Sequence, residues 1–242
     1  MDSAKHINVI CLKWGDKYPS HYVNKLYMGL VRNTTTPFTL HCFTDKSTDI
    51  ISGIKIHQLP YKNISTWWNK LYLFSNELPF PKDEKLFYID LDTLIIKNID
   101  NILNYIPNNI TVLRDFYTGL AKSVIGNDNI GSGLMAWKHG NYSHIWSKFI
   151  ANPEKAIASV KPHGDQKWIQ HCITNRTYWQ DIFPGEISSF KVHCNNGLPN
   201  KTKIVCYHGK PSIPESYSKR NKIWKYDIQP QLWVKDHWRN TL

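Results

Sequence analysis

The chain of 242 residues is 41% hydrophobic and 20% charged, with 12 Gly and 13 Pro, a balance that excludes disordered, collagen-like and low-complexity classes and predicts one globular core. Thirty Lys and Arg against 19 Asp and Glu leave a net charge of +11, which, with 10 Trp and 13 Tyr, points to an anionic or flat partner. No apolar run approaches the roughly 18 to 20 residues that a membrane-spanning helix needs.

The polar start Met1–His6 leads directly into an apolar strand without the pattern of a secretory signal, which predicts a cytoplasmic location. Ile7–Leu12 reads as a buried strand, followed by a loop with Gly15, Asp16 and Pro19. Tyr22, Leu26, Leu30 and Val31 then recur at helical spacing. Phe38–Phe43 and Ile54–Leu59 are strands bounded by Pro37, Thr44-Asp45, Gly53 and Pro60. Trp67–Leu78 reads as a helix stopped by Pro79 and Pro81, and Leu86–Ile89 as the next strand. Strands alternating with helices predict an α/β fold with a largely parallel sheet and ligands at the carboxyl ends of its strands. Further on, Ile110–Leu113, Leu134–Trp137 and Ile204–Tyr207 read as strands, and Tyr142–Ala151 and Asp165–Ile173 as helices. The tail holds Trp224, Tyr226, Trp233 and Trp238, which cover the sheet or stack on a ligand, with cover favoured. There is no internal repeat and no heptad series. The five cysteines, an odd number without a CxxC pair, are read as reduced.

The chemistry concentrates in Leu86-Phe87-Tyr88-Ile89-Asp90-Leu91-Asp92-Thr93-Leu94-Ile95-Ile96, where two carboxylates interrupt an apolar run. Charges are not buried in a strand without a partner, and residues two apart on an extended chain point to one side, so Asp90 and Asp92 can converge on one cation. A hard divalent ion, Mn²⁺ or Mg²⁺, suits carboxylate oxygens and bridges to phosphates. A phosphatase signature D-x-D-x-[T/V] fits poorly, because Thr93 follows Asp92 one residue too early. Tyr207-His208-Gly209-Lys210-Pro211 follows a buried strand with a possible metal ligand, a residue permitting close backbone approach and a cation for phosphate.

Together these motifs resemble glycosyltransferase family 8, the glycogenin type of the GT-A glycosyltransferases. Asn69-Lys70-Leu71-Tyr72-Leu73-Phe74 followed by Tyr88-Ile89-Asp90-Leu91-Asp92-Thr93 is similar to that family's lysine-bearing helix and Y-[LIM]-D-x-D-T strand. Asn129-Ile130-Gly131-Ser132-Gly133-Leu134 resembles its N-[SA]-G-[VL] strand, Asp165-Gln166 its Asp-Gln pair, and His208-Gly209-Lys210-Pro211 its terminal motif. The resemblance spans roughly residues 7–211. It implies a single Rossmann-like GT-A domain over 1–242, with a mixed, mostly parallel sheet flanked by helices. Residues 1–95 would form the nucleotide-binding half, and 96–242 the acceptor half. It further implies transfer of a hexose from a nucleoside diphosphate sugar, UDP-linked, to an acceptor hydroxyl with retention of configuration. Asp90, Asp92 and His208 would hold Mn²⁺ or Mg²⁺, and Lys70, Lys210 and Gly209 would meet the donor, beside Leu91. Leu12, Lys13, Trp14, Gly15 and Tyr18 would receive the nucleobase, with Asp45 bordering the pocket and Asp115 near the sugar. Asp165 and Gln166 would sit beside the anomeric carbon. Two departures stand out: His208, Gly209 and Lys210 are adjacent where the family spaces them, and Gly131 stands where the family commonly has Asn.

The acceptor would be a carbohydrate, glycolipid or glycoprotein, and Lys219, Arg220, Lys222 and Lys225 could rest against an anionic membrane. The alternative reading is a basic nucleic-acid-binding protein without catalysis. Its basic residues, however, are spread along the chain and form no recognition signature.

Overall fold

The computed structural model describes residues 6–117, 128–223 and 226–241. Its centre is a seven-stranded sheet built from β1 (Ile7–Lys13), β2 (Phe38–Thr44), β3 (Lys55–Gln58) and β4 (Lys85–Ile89), and, beyond a short β5 (Thr93–Ile95), from β6 (Ile110–Arg114), β7 (Ile130–Lys138) and β8 (Arg176–Tyr178). The spatial order is β3-β2-β1-β4-β7-β6-β8. Neighbours run parallel from β3 through β4 and between β6 and β8, whereas β7 runs antiparallel to both β4 and β6. The expected mixed, mostly parallel α/β architecture is therefore present.

The continuous apolar character of β1 and β4 follows from burial on both faces. Ile7, Val9 and Cys11 of β1 and Phe87 and Ile89 of β4 enter one core, while Ile10, Leu12, Leu86 and Tyr88 enter the other. That division by alternate residues is the period-two signature of an extended chain. Helix Ser20–Asn33 covers the first core with Tyr22, Val23, Leu26 and Leu30, and helices His144–Ala151 and Asp165–Cys172 cover the second.

Two expectations need adjustment. The helix predicted over Trp67–Leu78 is a 3₁₀ helix, Thr66–Phe74, closed by Ser75 N donating to Tyr72 O, with the Asn69 amide donating to Ile64 O and Thr66 O. Those side-chain bonds compete with regular helical pairing. The strand predicted at Leu134 begins four residues earlier, because Ile130–Gly133 is held between β6 and the Asp90 backbone. A second sheet was unforeseen. In it β10 (Ile204–Cys206) lies between β5 and β9 (Ile187–Ser189), bringing the segment after β10 alongside Asp92, whose carbonyl accepts from Tyr207 N.

In the tail, β11 (Asn221–Ile223) and β12 (Tyr226–Ile228) form a hairpin followed by helix Trp233–His237. Trp238 is buried against Tyr22, ring centroids 4.8 Å apart, and Trp233 packs on the same core, which is the covering role. Trp224 and Lys225 lie outside the described residues, as does the side chain of Tyr226. Among the described residues, no helix is long and apolar enough to cross a membrane.

Candidate active site

Strand order reverses at β1, with β2 on one side and β4 on the other. A crevice outside the carboxyl ends of strands at such a switch point is where open α/β sheets bind ligands. A cavity of about 450 Å³ occupies that place, lined on the β1 side by Leu12, Trp14, Lys17 and Tyr18, and on the β4 side by Asp90, Leu91 and Asp92.

At its base lies a buried ionic cluster. Lys70, from the 3₁₀ helix, places Nζ 3.1 Å from Asp90 Oδ1 and 3.4 Å from Asp165 Oδ2. Ser132 ties the group together: its Oγ accepts from Lys70 Nζ at 3.2 Å and donates to Asp165 Oδ2 at 3.1 Å, and its N–H donates to Gln166 Oε1 at 3.3 Å. Tyr88 donates its hydroxyl to Asp90 and turns its ring toward Lys70 Nζ at 5.1 Å. Burial works against the Lys70 charge, but Asp165 and Asp90 outweigh it and raise its pKa, so the ammonium is retained. Ser132 was not singled out as a site residue. Its signal was its place inside Gly131-Ser132-Gly133. A Cβ at Gly133 would come within 3.2 Å of Asp90 Oδ2, so the glycine lets the strand pass close to the carboxylate.

Asp92 faces the same cavity and accepts a 2.6 Å hydrogen bond from the Tyr18 hydroxyl. Burial, and then the nearby Asp90 charge, push its pKa up to about 6, against the opposing pull of Tyr18, Lys17 and Lys70. Tyr18, predicted as a stacking ring for the nucleobase, packs on Tyr22 at 4.9 Å and is anchored through its oxygen to Asp92.

His208 lines the cavity, but its Nε2 pairs with Ser189 Oγ at 2.6 Å and its ring stacks on Phe116. Burial, helped by Lys191 and His193, lowers its pKa to about 4, which leaves the ring neutral at neutral pH. Among the described residues, no three His, Cys, Asp or Glu side chains converge as a ready-made metal cage. Asp90 and Asp92 are nevertheless a pair of hard oxygen donors whose mutual repulsion a cation would relieve, the chemistry expected of a Mn²⁺ or Mg²⁺ site completed by substrate phosphates.

Gly209 and Asp115 line the cavity; Lys13, Gly15, Asp45 and Lys210 do not. Lys13 Nζ donates to Gly15 O, and Gly15 N donates to the Asp45 carboxylate, so these three shape the loop after β1. Lys210 turns outward to Glu215 at 3.0 Å, and Glu215 caps the helix Ile213–Ser218 through Ser212. Residues not foreseen in the lining include Phe116 and Tyr117. Trp67 also lines it and is 45% exposed.

No family model matches the sequence, and no curated protein does. Solved structures do match. The galactosyltransferase LgtC, in a complex with donor and acceptor sugar analogs, superposes with a TM-score of 0.61 at 11% identity, covering 86% of this chain and 89% of that one. The glycosyltransferase GlyE of Streptococcus pneumoniae TIGR4 superposes with a TM-score of 0.64 at 13% identity. It covers 98% of this chain, which spans only 60% of GlyE. The fold is GT-A. In GT-A terms, the loop after β1 and the Asp90–Asp92 segment form one side of the crevice, and Ser132, Asp165 and Gln166 the other.

Proposed function

We propose that this GT-A chain is a glycosyltransferase that moves a hexose from a UDP-linked sugar to an acceptor hydroxyl with retention of anomeric configuration. Residues up to 95 would serve chiefly the donor and the remainder the acceptor. The observation that carries the reading is the meeting of Asp90, Asp92, Lys70 and Asp165 around one cavity at the sheet's switch point.

Asp90 and Asp92 would hold a divalent ion, Mn²⁺ or Mg²⁺, whose chemistry is to neutralise charge on the diphosphate. His208 would join as a third ligand either through Nδ1, with Nε2 held on Ser189, or through Nε2 once its ring leaves Ser189. The bond that breaks joins the anomeric carbon to the diphosphate oxygen, and its electron pair leaves on that oxygen. The bond that forms joins the same carbon to the acceptor oxygen, whose proton passes to the departing phosphate. Because a diphosphate is a good leaving group, the protein needs fixed charge rather than a strong nucleophile. Lys70 supplies a permanent cation locked between two carboxylates. Asp165, held by Lys70 and Ser132, faces the developing positive charge on the sugar, and Gln166 is fixed by the Ser132 N–H. Trp14 and Leu12 give the base an apolar wall. The acceptor is a carbohydrate, free or on a lipid or protein.

The test is a thermal-shift panel of UDP, GDP, ADP and CMP with and without Mn²⁺, followed by turnover of UDP-hexoses. A ligand at 100 times its Kd raises stability by about 2.7 kcal/mol. UDP stabilising only with the ion, and loss of both shift and turnover in Asp92→Ala with the fold intact, is the expected result. No shift with any nucleotide, beside salt-sensitive binding of random DNA, would overturn it.

A further inference from the structure

A second buried lysine lies behind the same cavity. Lys191, in the short helix Phe190–His193, is 7% exposed, and its Nζ donates to His208 O at 3.0 Å and to the Tyr117 hydroxyl at 3.2 Å. Both partners, and Gly209, belong to the cavity wall, and Lys191 itself stands behind that wall without lining it. A Cβ placed on Gly209 would meet nothing nearer than Lys191 Nζ, at 3.9 Å. Among the described residues no carboxylate lies within ion-pairing distance of Lys191, so its two acceptors are neutral. Burial alone lowers its pKa, with no acidic neighbour to offset it.

A buried cation without a counter-charge is costly, and a bound anion would supply the missing charge. The lysine expected to do this, Lys210, is committed elsewhere: its side chain is 72% exposed and paired with Glu215. The cause is local. With His208, Gly209 and Lys210 adjacent, the chain leaves the cavity immediately after Gly209 and enters the capped helix Ile213–Ser218.

We propose that Lys191, and not Lys210, is the cation that binds the diphosphate of the donor. The assignment rests on the reading of the cavity as a nucleotide-sugar site. The ammonium offers three donors and spends two, on groups that form the wall at Gly209, leaving one for a phosphate oxygen approaching over a residue with no side chain. Pairing of His208 with both Ser189 and Lys191 then becomes a device that keeps the helix Phe190–His193 against this wall.

The experiment measures binding of UDP, and separately of inorganic pyrophosphate, each with Mg²⁺, by calorimetry, with melting temperatures of the unliganded proteins. The variants are Lys191→Met, Lys191→Gln, Lys191→Arg and Lys210→Met. Glutamine can still donate to His208 O and Tyr117, so a purely structural role survives it while a charge role does not. Lys191→Met and Lys191→Gln are expected to weaken both ligands by at least about tenfold, Lys191→Arg to retain most of the affinity, and Lys210→Met to lose less than either. Lys191→Gln is also expected to melt no lower than the parent, since it removes an uncompensated charge. Wild-type affinity in Lys191→Gln, or a larger loss in Lys210→Met, would overturn the assignment while leaving the transferase reading intact. A parent protein that binds neither probe would overturn both.

Discussion

Lys70 and Lys191 are both buried and both sit on short helical segments, Lys70 lining the cavity and Lys191 behind its wall, yet their electrostatic situations are opposite. Lys70 is clamped by Asp90 and Asp165, with Ser132 Oγ as a third acceptor. Lys191 has only a backbone carbonyl and a phenol oxygen. Where the fold itself supplies the counter-charge, the lysine is part of a pre-formed framework that orients its carboxylates. Where it does not, the balance is left for a ligand. The two walls therefore differ in what mutation should do: the first should fail in stability and function together, the second in binding alone.

The largest effect is expected on the compensated side. Lys70→Met would leave Asp165 buried and Asp90 half-buried without their cation, and removing one partner of a buried pair typically costs about 3 to 5 kcal/mol, at the low end here because Asp90 stays partly solvated. Urea denaturation should show a loss of that order, with turnover abolished. Adding Asp165→Asn to Lys70→Met should recover part of the stability and none of the activity. Unchanged stability in the single variant would mean that the cluster does not hold the site, and the contrast with Lys191 would collapse.

The next effect concerns Asp92, whose pKa lies near 6 where an unperturbed carboxyl would be at 3.8. A raised carboxyl favours the folded state when protonated, so its contribution is complete below pH 4 and is lost as pH rises through about 6. A divalent ion prefers the ionised pair, so its stabilising effect should grow over the same interval in which the unliganded protein weakens. Melting temperatures from pH 4.5 to 7.5, with and without Mn²⁺, would show the two curves diverging. Parallel curves, or an unaltered profile in Asp92→Asn, would remove Asp92 from the cation site.

The same contrast separates what the sequence could and could not reveal. Asp90 and Asp92 were legible because they interrupt a single apolar run, but the structure sets them on the turn between β4 and β5, so the turn and not a strand's period brings both to the cavity. Lys70 was legible through the family motif around it. Its partner Ser132 was hidden inside a glycine pair whose meaning depends on the close approach of β7 to Asp90. Lys191 had no local signal at all. It lies in a four-residue helix, and its significance arises only when β9 pairs with β10 and sets it beside His208. Lys210 looked functional because it follows His208 and Gly209, but Ser212-Ile213-Pro214-Glu215 forms a capping box, and Glu215 draws the lysine outward.

The smallest expected effect on stability tests the cavity rim and leaves both lysines untouched. A Cβ on Gly164 would lie 2.7 Å from Trp67 Nε1 and 3.1 Å from Cδ1, too close for the indole to stay. Gly164 has φ −102, so its backbone can accept a side chain, and Trp67 is 45% exposed and free to swing outward. Gly164→Ala should therefore cost no more than about 0.5 kcal/mol, the range of surface substitutions, while changing Trp67 fluorescence. Gly164 immediately precedes Asp165 and Gln166, and Trp67 lies three residues before Lys70, so displacement of the indole reshapes the cavity lining beside the ion cluster. The expected signature is UDP affinity unchanged and transfer to acceptor impaired. Weakened UDP binding instead would place Trp67 on the donor side, and loss of stability comparable to that of Lys70→Met would show that the rim and the framework are one unit.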